Sequence, residues 1–251
     1  MRRIAIVTLF LLLVGAGIWL FIMNYNHIER HVYQLNPGTP LATPVTCLSS
    51  GTPGPCILIV GGIHGNEPAG VQAAQELAEG LMPQRGRLVV VDVANPLAVA
   101  AGMRFISTET DLNRAFSIKG ADGNTGKQAQ AFWSLLEKER IDWVIDLHEA
   151  GGFFRRDETE VGQTLIFSPA PAAADLVLTV LDEINCRVGP DLAFTYLSPP
   201  QSGSLVREAW EQLGIPGLIV ETCKQQELTA RVAQQQLVVK IIVDEILINR
   251  K

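Results

Sequence analysis

Residues 56–70 read Cys56-Ile-Leu-Ile-Val60-Gly-Gly-Ile-His64-Gly-Asn-Glu67-Pro-Ala-Gly70. The opening five are apolar without a polar break, which is the pattern of a strand covered on both faces. Gly61 and Gly62 then allow a tight turn. Beyond Pro68 the apolar residues return at helical spacing, at Val71, Ala74, Leu77 and Leu81. Strand, turn and helix in that order make one unit of an alternating α/β fold. The polar residues of the unit, His64 and Glu67, fall in the turn.

The alternation continues outward. Residues 87–93, 143–147, 164–167 and 217–220 read as further strands, and 126–138, 172–184, 205–213 and 227–248 as helices. Residues 94–124 show no clear period. The whole predicts an α/β three-layer sandwich around a mostly parallel mixed sheet. In such folds ligands bind at the carboxyl ends of strands. His64, His148 and Glu221 all fall at such ends.

Composition narrows the function. Of 251 residues, 47% are apolar and 18% charged, so the chain is not disordered. A net charge of −6 argues against a nucleic-acid partner, which calls for basic patches. Arg2 and Arg3 precede an uncharged stretch at 4–23, long enough to cross a bilayer as a helix. The expected organisation is a cytoplasmic stub at 1–3, a transmembrane signal anchor at 4–23, a polar linker at 24–42 and a catalytic domain at 43–251. The two arginines place that domain on the extracytoplasmic side of the membrane. A cleaved signal peptide and a buried core helix are the rival readings of 4–23. Cys47 with Cys56, and Cys186 with Cys223, are two possible disulfides outside the cytoplasm; free buried thiols are the equal alternative.

Three groups of residues carry chemistry. His64 and Glu67, three apart, can reach one point if the segment turns helically. Imidazole nitrogen and carboxylate oxygen are both zinc ligands, and a catalytic site needs a third. Of the other histidines, His27 and His31 lie beside the expected anchor, leaving His148. Either histidine alone reads as an ordinary satisfied polar residue; together, at two strand ends, they point to metal. Asp146, two residues earlier on the same strand, can orient the His148 ring. The second group is Arg104 with Asp111-Leu-Asn113-Arg114, which suits an anionic substrate group. The third is Glu221, a lone carboxylate ending an apolar strand. It fits a proton carrier beside a metal, or merely a carboxylate near the start of the last helix.

The segments His64-Gly-Asn-Glu67, Asp111-Leu-Asn-Arg114, Asp146-Leu-His148 and Val220-Glu221-Thr stand in the order seen in the succinylglutamate desuccinylase/aspartoacylase family, related to the zinc carboxypeptidases. The resemblance covers most of 55–225, including the approach from Gly203 to Gly217. It implies a zinc-carboxypeptidase-like fold with one Zn2+ per chain, held by His64, Glu67 and His148. It further implies Asn113 and Arg114 on a substrate carboxylate, Arg104 polarising the scissile carbonyl, and Glu221 as general base, then acid. Tyr196 stands where related carboxypeptidases carry a tyrosine. Two features depart from the family. Ser117-Ile-Lys replaces the Pro-Gly that follows the family's Asn-Arg-x-Phe, and only about 30 residues follow Glu221, where aspartoacylases have a β-domain. The implied activity is hydrolysis of an amide, or an ester, next to a carboxylate-bearing group; the missing β-domain and the expected anchor favour a peptide or cell-wall fragment over a small acyl amino acid. A carboxypeptidase or amidase acting on peptides or peptidoglycan stems is the alternative, and a non-catalytic binding protein the second.

Overall fold

The computed structural model describes residues 28–117 and 122–249. Eight strands form one sheet: β1 (Glu29–Leu35), β2 (Thr43–Ser49), β3 (Cys56–Gly61), β4 (Arg87–Val91), β5 (Trp143–Ala150), β6 (Thr164–Phe167), β7 (Thr195–Leu197) and β8 (Gly217–Cys223), in the order β1-β2-β4-β3-β5-β8-β6-β7. The centre, β4-β3-β5-β8, is parallel. β2 joins β4, and β6 joins β8, in antiparallel register, so the sheet is mixed about a parallel core.

Strand periodicity explains the three layers. On β3, Ile57 and Ile59 face one way and Cys56, Leu58 and Val60 the other. The first face packs against helices Pro68–Gly80, Pro171–Asn185 and Leu228–Asp244. The second packs against Gly123–Glu139 and Leu205–Leu213. Both faces being covered is why the central strands are unbroken apolar runs.

Two expectations need correction. Among the described residues no helix is long and apolar enough to cross a membrane. The span expected at 4–23 lies outside them. Over the described residues the architecture is the α/β sandwich, with no membrane-crossing helix among them. The second concerns Glu29–Leu35, inside the stretch read as linker, which forms edge strand β1 paired along its whole length with β2. Its side chains are mostly exposed, so its sequence carries no apolar alternation to announce it. The four cysteines are free thiols.

Candidate metal centre and its cleft

His64 and Glu67 sit in the turn between β3 and helix Pro68–Gly80. Gly62 enters that turn at φ +73, a conformation open to glycine. At Gly65 a side-chain carbon would lie 1.9 Å from the Ala98 carbonyl oxygen, so only glycine fits against the neighbouring helix Pro96–Ala101. The backbone then closes through Glu67 N–H on the His64 carbonyl at 3.3 Å. His148 lies within β5, which runs on to Ala150, and register pairs it with Glu221 on β8.

The three residues converge. Glu67 Oε1 lies 2.9 Å from His64 Nδ1, Glu67 Oε2 lies 2.9 Å from His148 Nδ1, and the two Nδ1 atoms are 3.1 Å apart. All three residues are buried. Each ring turns its other nitrogen to a carboxylate: His64 Nε2 to Asp111 Oδ1 at 3.0 Å, His148 Nε2 to Asp146 Oδ2 at 3.0 Å. The second contact is an ion-pair distance off the line of a true hydrogen bond. A proton on each Nε2 serves those carboxylates and leaves each Nδ1 as a lone pair. Two imidazole lone pairs and a carboxylate that already accepts the Glu149 N–H at 3.2 Å face one point. A cation satisfies all three, and the donor set fits a divalent metal ion.

The electrostatics favour positive charge at this point. Burial pushes the His148 imidazole down, but Asp146 and Glu67 outweigh it and hold it well above the usual histidine range. Burial likewise pushes Glu67 up, and His148 and His64 outweigh it and hold that carboxyl low. Asp111 is held low by His64 and Arg104 against its own burial. Glu221 goes the other way. Burial pushes its carboxyl up to about 8, His148 opposes, and Glu67 and Asp146 add to the rise. Its Oε2 is shut off from solvent and has no hydrogen-bond partner, although the residue as a whole is only half-buried.

These groups share a cleft of about 350 Å³, whose lining includes His64, Glu67, Arg104, Asn113, Arg114 and Glu221. Arg104 donates from Nε to Asp111 Oδ2 at 3.1 Å and brings Nη1 within 3.6 Å of Glu67 Oε1. The short 3-10 turn Leu112–Arg114 carries Asn113, whose buried Oδ1 has no partner, and Arg114, which is exposed. This loop is tied down where Phe116 N–H meets the Gly203 carbonyl at 3.1 Å. Tyr196 does not join them. It is 51% exposed on edge strand β7, its ring 6.0 Å from that of Phe167, and it does not line the cleft.

Several contributors have no reading in the sequence. Asp111 backs His64 from 47 residues away. Glu149 accepts the Ala69 N–H at 2.8 Å and pairs with Arg231, so a strand carboxylate caps the helix that follows the His64 turn. Gln235 donates to the His148 carbonyl at 2.9 Å. Glu160 and Lys224 also line the cleft. Of these, only Asp111 stands in a stretch with a reading of its own; Glu149 continues a strand, and the others look like ordinary helix or loop polar residues.

Comparison with known proteins gives a consistent picture. The family model for the succinylglutamate desuccinylase/aspartoacylase catalytic domain matches residues 53–244. An N-alpha-acetyl-L-2,4-diaminobutyric acid deacetylase from Halomonas elongata is 33% identical over 111 residues, 43% of this chain and 32% of that one. A succinylglutamate desuccinylase from Pseudomonas paraeruginosa is 31% identical over 132 residues, 47% of this chain and 37% of that one. The matches thus span about a third of the length of these curated relatives. Among solved structures, the D,L-carboxypeptidase Csd4 from Helicobacter pylori, in its mDAP-bound form, superposes with a TM-score of 0.67 at 21% identity. That match covers 77% of this chain and 51% of Csd4, and shows a shared fold.

Proposed function

Because the chain belongs to the succinylglutamate desuccinylase/aspartoacylase family, we propose that it is a zinc-dependent hydrolase cleaving the amide bond of an acyl amino acid. The observation that carries the reading is the shared cleft. Two carboxylate-backed histidines and Glu67 present three lone pairs to one point, and Glu221 brings an unpartnered carboxylate to the same cavity. Both curated relatives have names that describe removal of an acyl group from an amino acid. Zinc suits two imidazoles and one carboxylate with a position left open.

A zinc ion held by His64, Glu67 and His148 supplies Lewis acidity, making water a stronger nucleophile at neutral pH and a carbonyl a stronger electrophile. Glu221 accepts the proton of the attacking water. A carboxyl raised to about 8 by burial holds a proton well at neutral pH, and a nearby cation lowers it toward the working range. Glu221 then gives that proton to the leaving nitrogen, so that a C–O bond forms, the C–N bond breaks, and a carboxylate and an amine leave. Arg104, braced by Asp111, directs positive charge at the oxygen on which negative charge develops. Arg114 and the Asn113 side chain hold the substrate carboxylate.

The test is turnover by the zinc-loaded full chain on a panel of N-acyl amino acids and short peptides. Hydrolysis of acyl amino acids, lost on chelation and restored by zinc, is the expected result. Turnover of peptides alone moves the reading to a carboxypeptidase. No turnover on either set by zinc-loaded protein overturns it.

A further inference from the structure

We propose that Glu160 recognises a cationic group on the substrate, so that the favoured acyl amino acid carries a second, free ammonium. The inference rests on the hydrolase reading above and names its substrate class. It comes from accounting for charge in the cleft. Arg104 is paired with Asp111, and Glu149 with Arg231. Glu67 lies between the two histidines, and Glu221 is the proton carrier. Three charged side chains lining the cavity then have no ion-pair partner among the described residues: Arg114, Lys224 and Glu160. The two cations suit a substrate carboxylate. Glu160 repels one, and a purely anionic acyl amino acid brings nothing for it.

Glu160 is not a solvated surface acid that happens to lie nearby. It is half-buried, and its position is fixed. Its Oε2 accepts the Gly152 N–H at 2.8 Å. Its stem lies over Gly152, where an added side-chain carbon would meet Glu160 Cγ at 2.7 Å. The loop bearing it is closed by Gly162 N–H on the Gly152 carbonyl at 3.0 Å. The Arg156 guanidinium of the same loop is committed elsewhere, 4.3 Å above the Phe153 ring. Oε1 is therefore left to an occupant. In a cleft closed over by substrate, an unpaired carboxylate is costly unless that occupant brings the opposite charge.

Matched substrates test the idea on the zinc-loaded full chain. Nα-acetyl-ornithine and Nα-acetyl-norleucine differ in a terminal ammonium against a methyl; Nα-acetyl-lysine and Nα-acetyl-2-aminoheptanoate repeat the comparison one carbon longer. Wild-type kcat/KM should favour the ammonium member of at least one pair by about tenfold or more. Glu160→Gln keeps an acceptor for the Gly152 N–H and removes only the charge, so folding is preserved while the ratio falls toward one. Glu160→Asp should keep part of the preference. An equal wild-type rate within both pairs, or a ratio that Glu160→Gln leaves unmoved, overturns the proposal and spares the hydrolase reading. So does hydrolysis of other acyl amino acids with none of these four. No hydrolysis of any acyl amino acid overturns both.

Discussion

The two histidines are backed in the same way and built in different ways. His148 and Asp146 sit two apart on one central strand, so the pleat itself aims both at the same side, and both are buried. His64 stands in a turn, and its carboxylate, Asp111, comes from a distant loop, remains 13% exposed and is shared with Arg104. One half of the site is thus set by the sheet and the other by loop packing. The division matches the chemistry assigned to each. The strand half also carries Glu221, whose proposed task depends on a fixed proton position. The loop half carries Arg104, Asn113 and Arg114, the groups assigned to a substrate that must enter and leave.

Substitutions sharpen this contrast. The largest effect is expected at Glu221. Glu221→Gln should lower kcat by roughly 1000-fold with bound metal unchanged, read by steady-state kinetics beside elemental analysis. Its titration offers a second reading. A carboxyl raised to about 8 in the folded, metal-free protein contributes stability that is full below the unfolded value near 4.5 and fades as pH rises through about 8. The melting temperature of the metal-free parent, relative to Glu221→Gln, should therefore fall across that window. A constant difference would remove the buried-acid account.

Asp146→Asn and Asp111→Asn test the two halves directly. Each should weaken zinc, by roughly 10- to 100-fold in chelator competition, with Asp146 at the upper end because no solvent can replace it. Equal losses would erase the distinction between strand and loop. Arg114→Ala should raise KM by about tenfold and leave kcat nearly unchanged, as expected for a group that binds ground state and transition state alike. A fall in kcat with KM unchanged would move Arg114 into the chemical step. Tyr196→Phe should alter kcat/KM by less than about twofold, in line with an exposed residue away from the cleft.

The strand half was also the more legible half. An apolar run ending in glycines, or a run such as Val-Ile-Asp-Leu before a histidine, states both the strand and the face on which its polar residues lie. His148, Asp146 and Glu221 could be placed on that basis, and His64 and Glu67 in the turn that ends the first run. The loop half carries no period, and from residues 94–124 only Arg104, Asn113 and Arg114 could be read, as groups suited to an anionic substrate. Asp111 could be quoted but not assigned, because its bond to His64 spans packing that no local pattern encodes. The same reason hides Glu149 with Arg231, Gln235 and Glu160, whose partners come from other elements. Tyr196 was placed by resemblance alone, and the fold sets it on an edge strand facing outward. Strand β1 escaped because its pairing satisfies the backbone while its side chains stay in water.

The most direct test of the account is metal content. Full-length protein, stripped, offered zinc and then desalted, should retain about one zinc per chain by elemental analysis, and the His64→Ala/His148→Ala variant should retain none while keeping a cooperative thermal transition. A folded parent without stoichiometric zinc, or a double variant that holds as much as the parent, would contradict the metal centre and the hydrolase built on it.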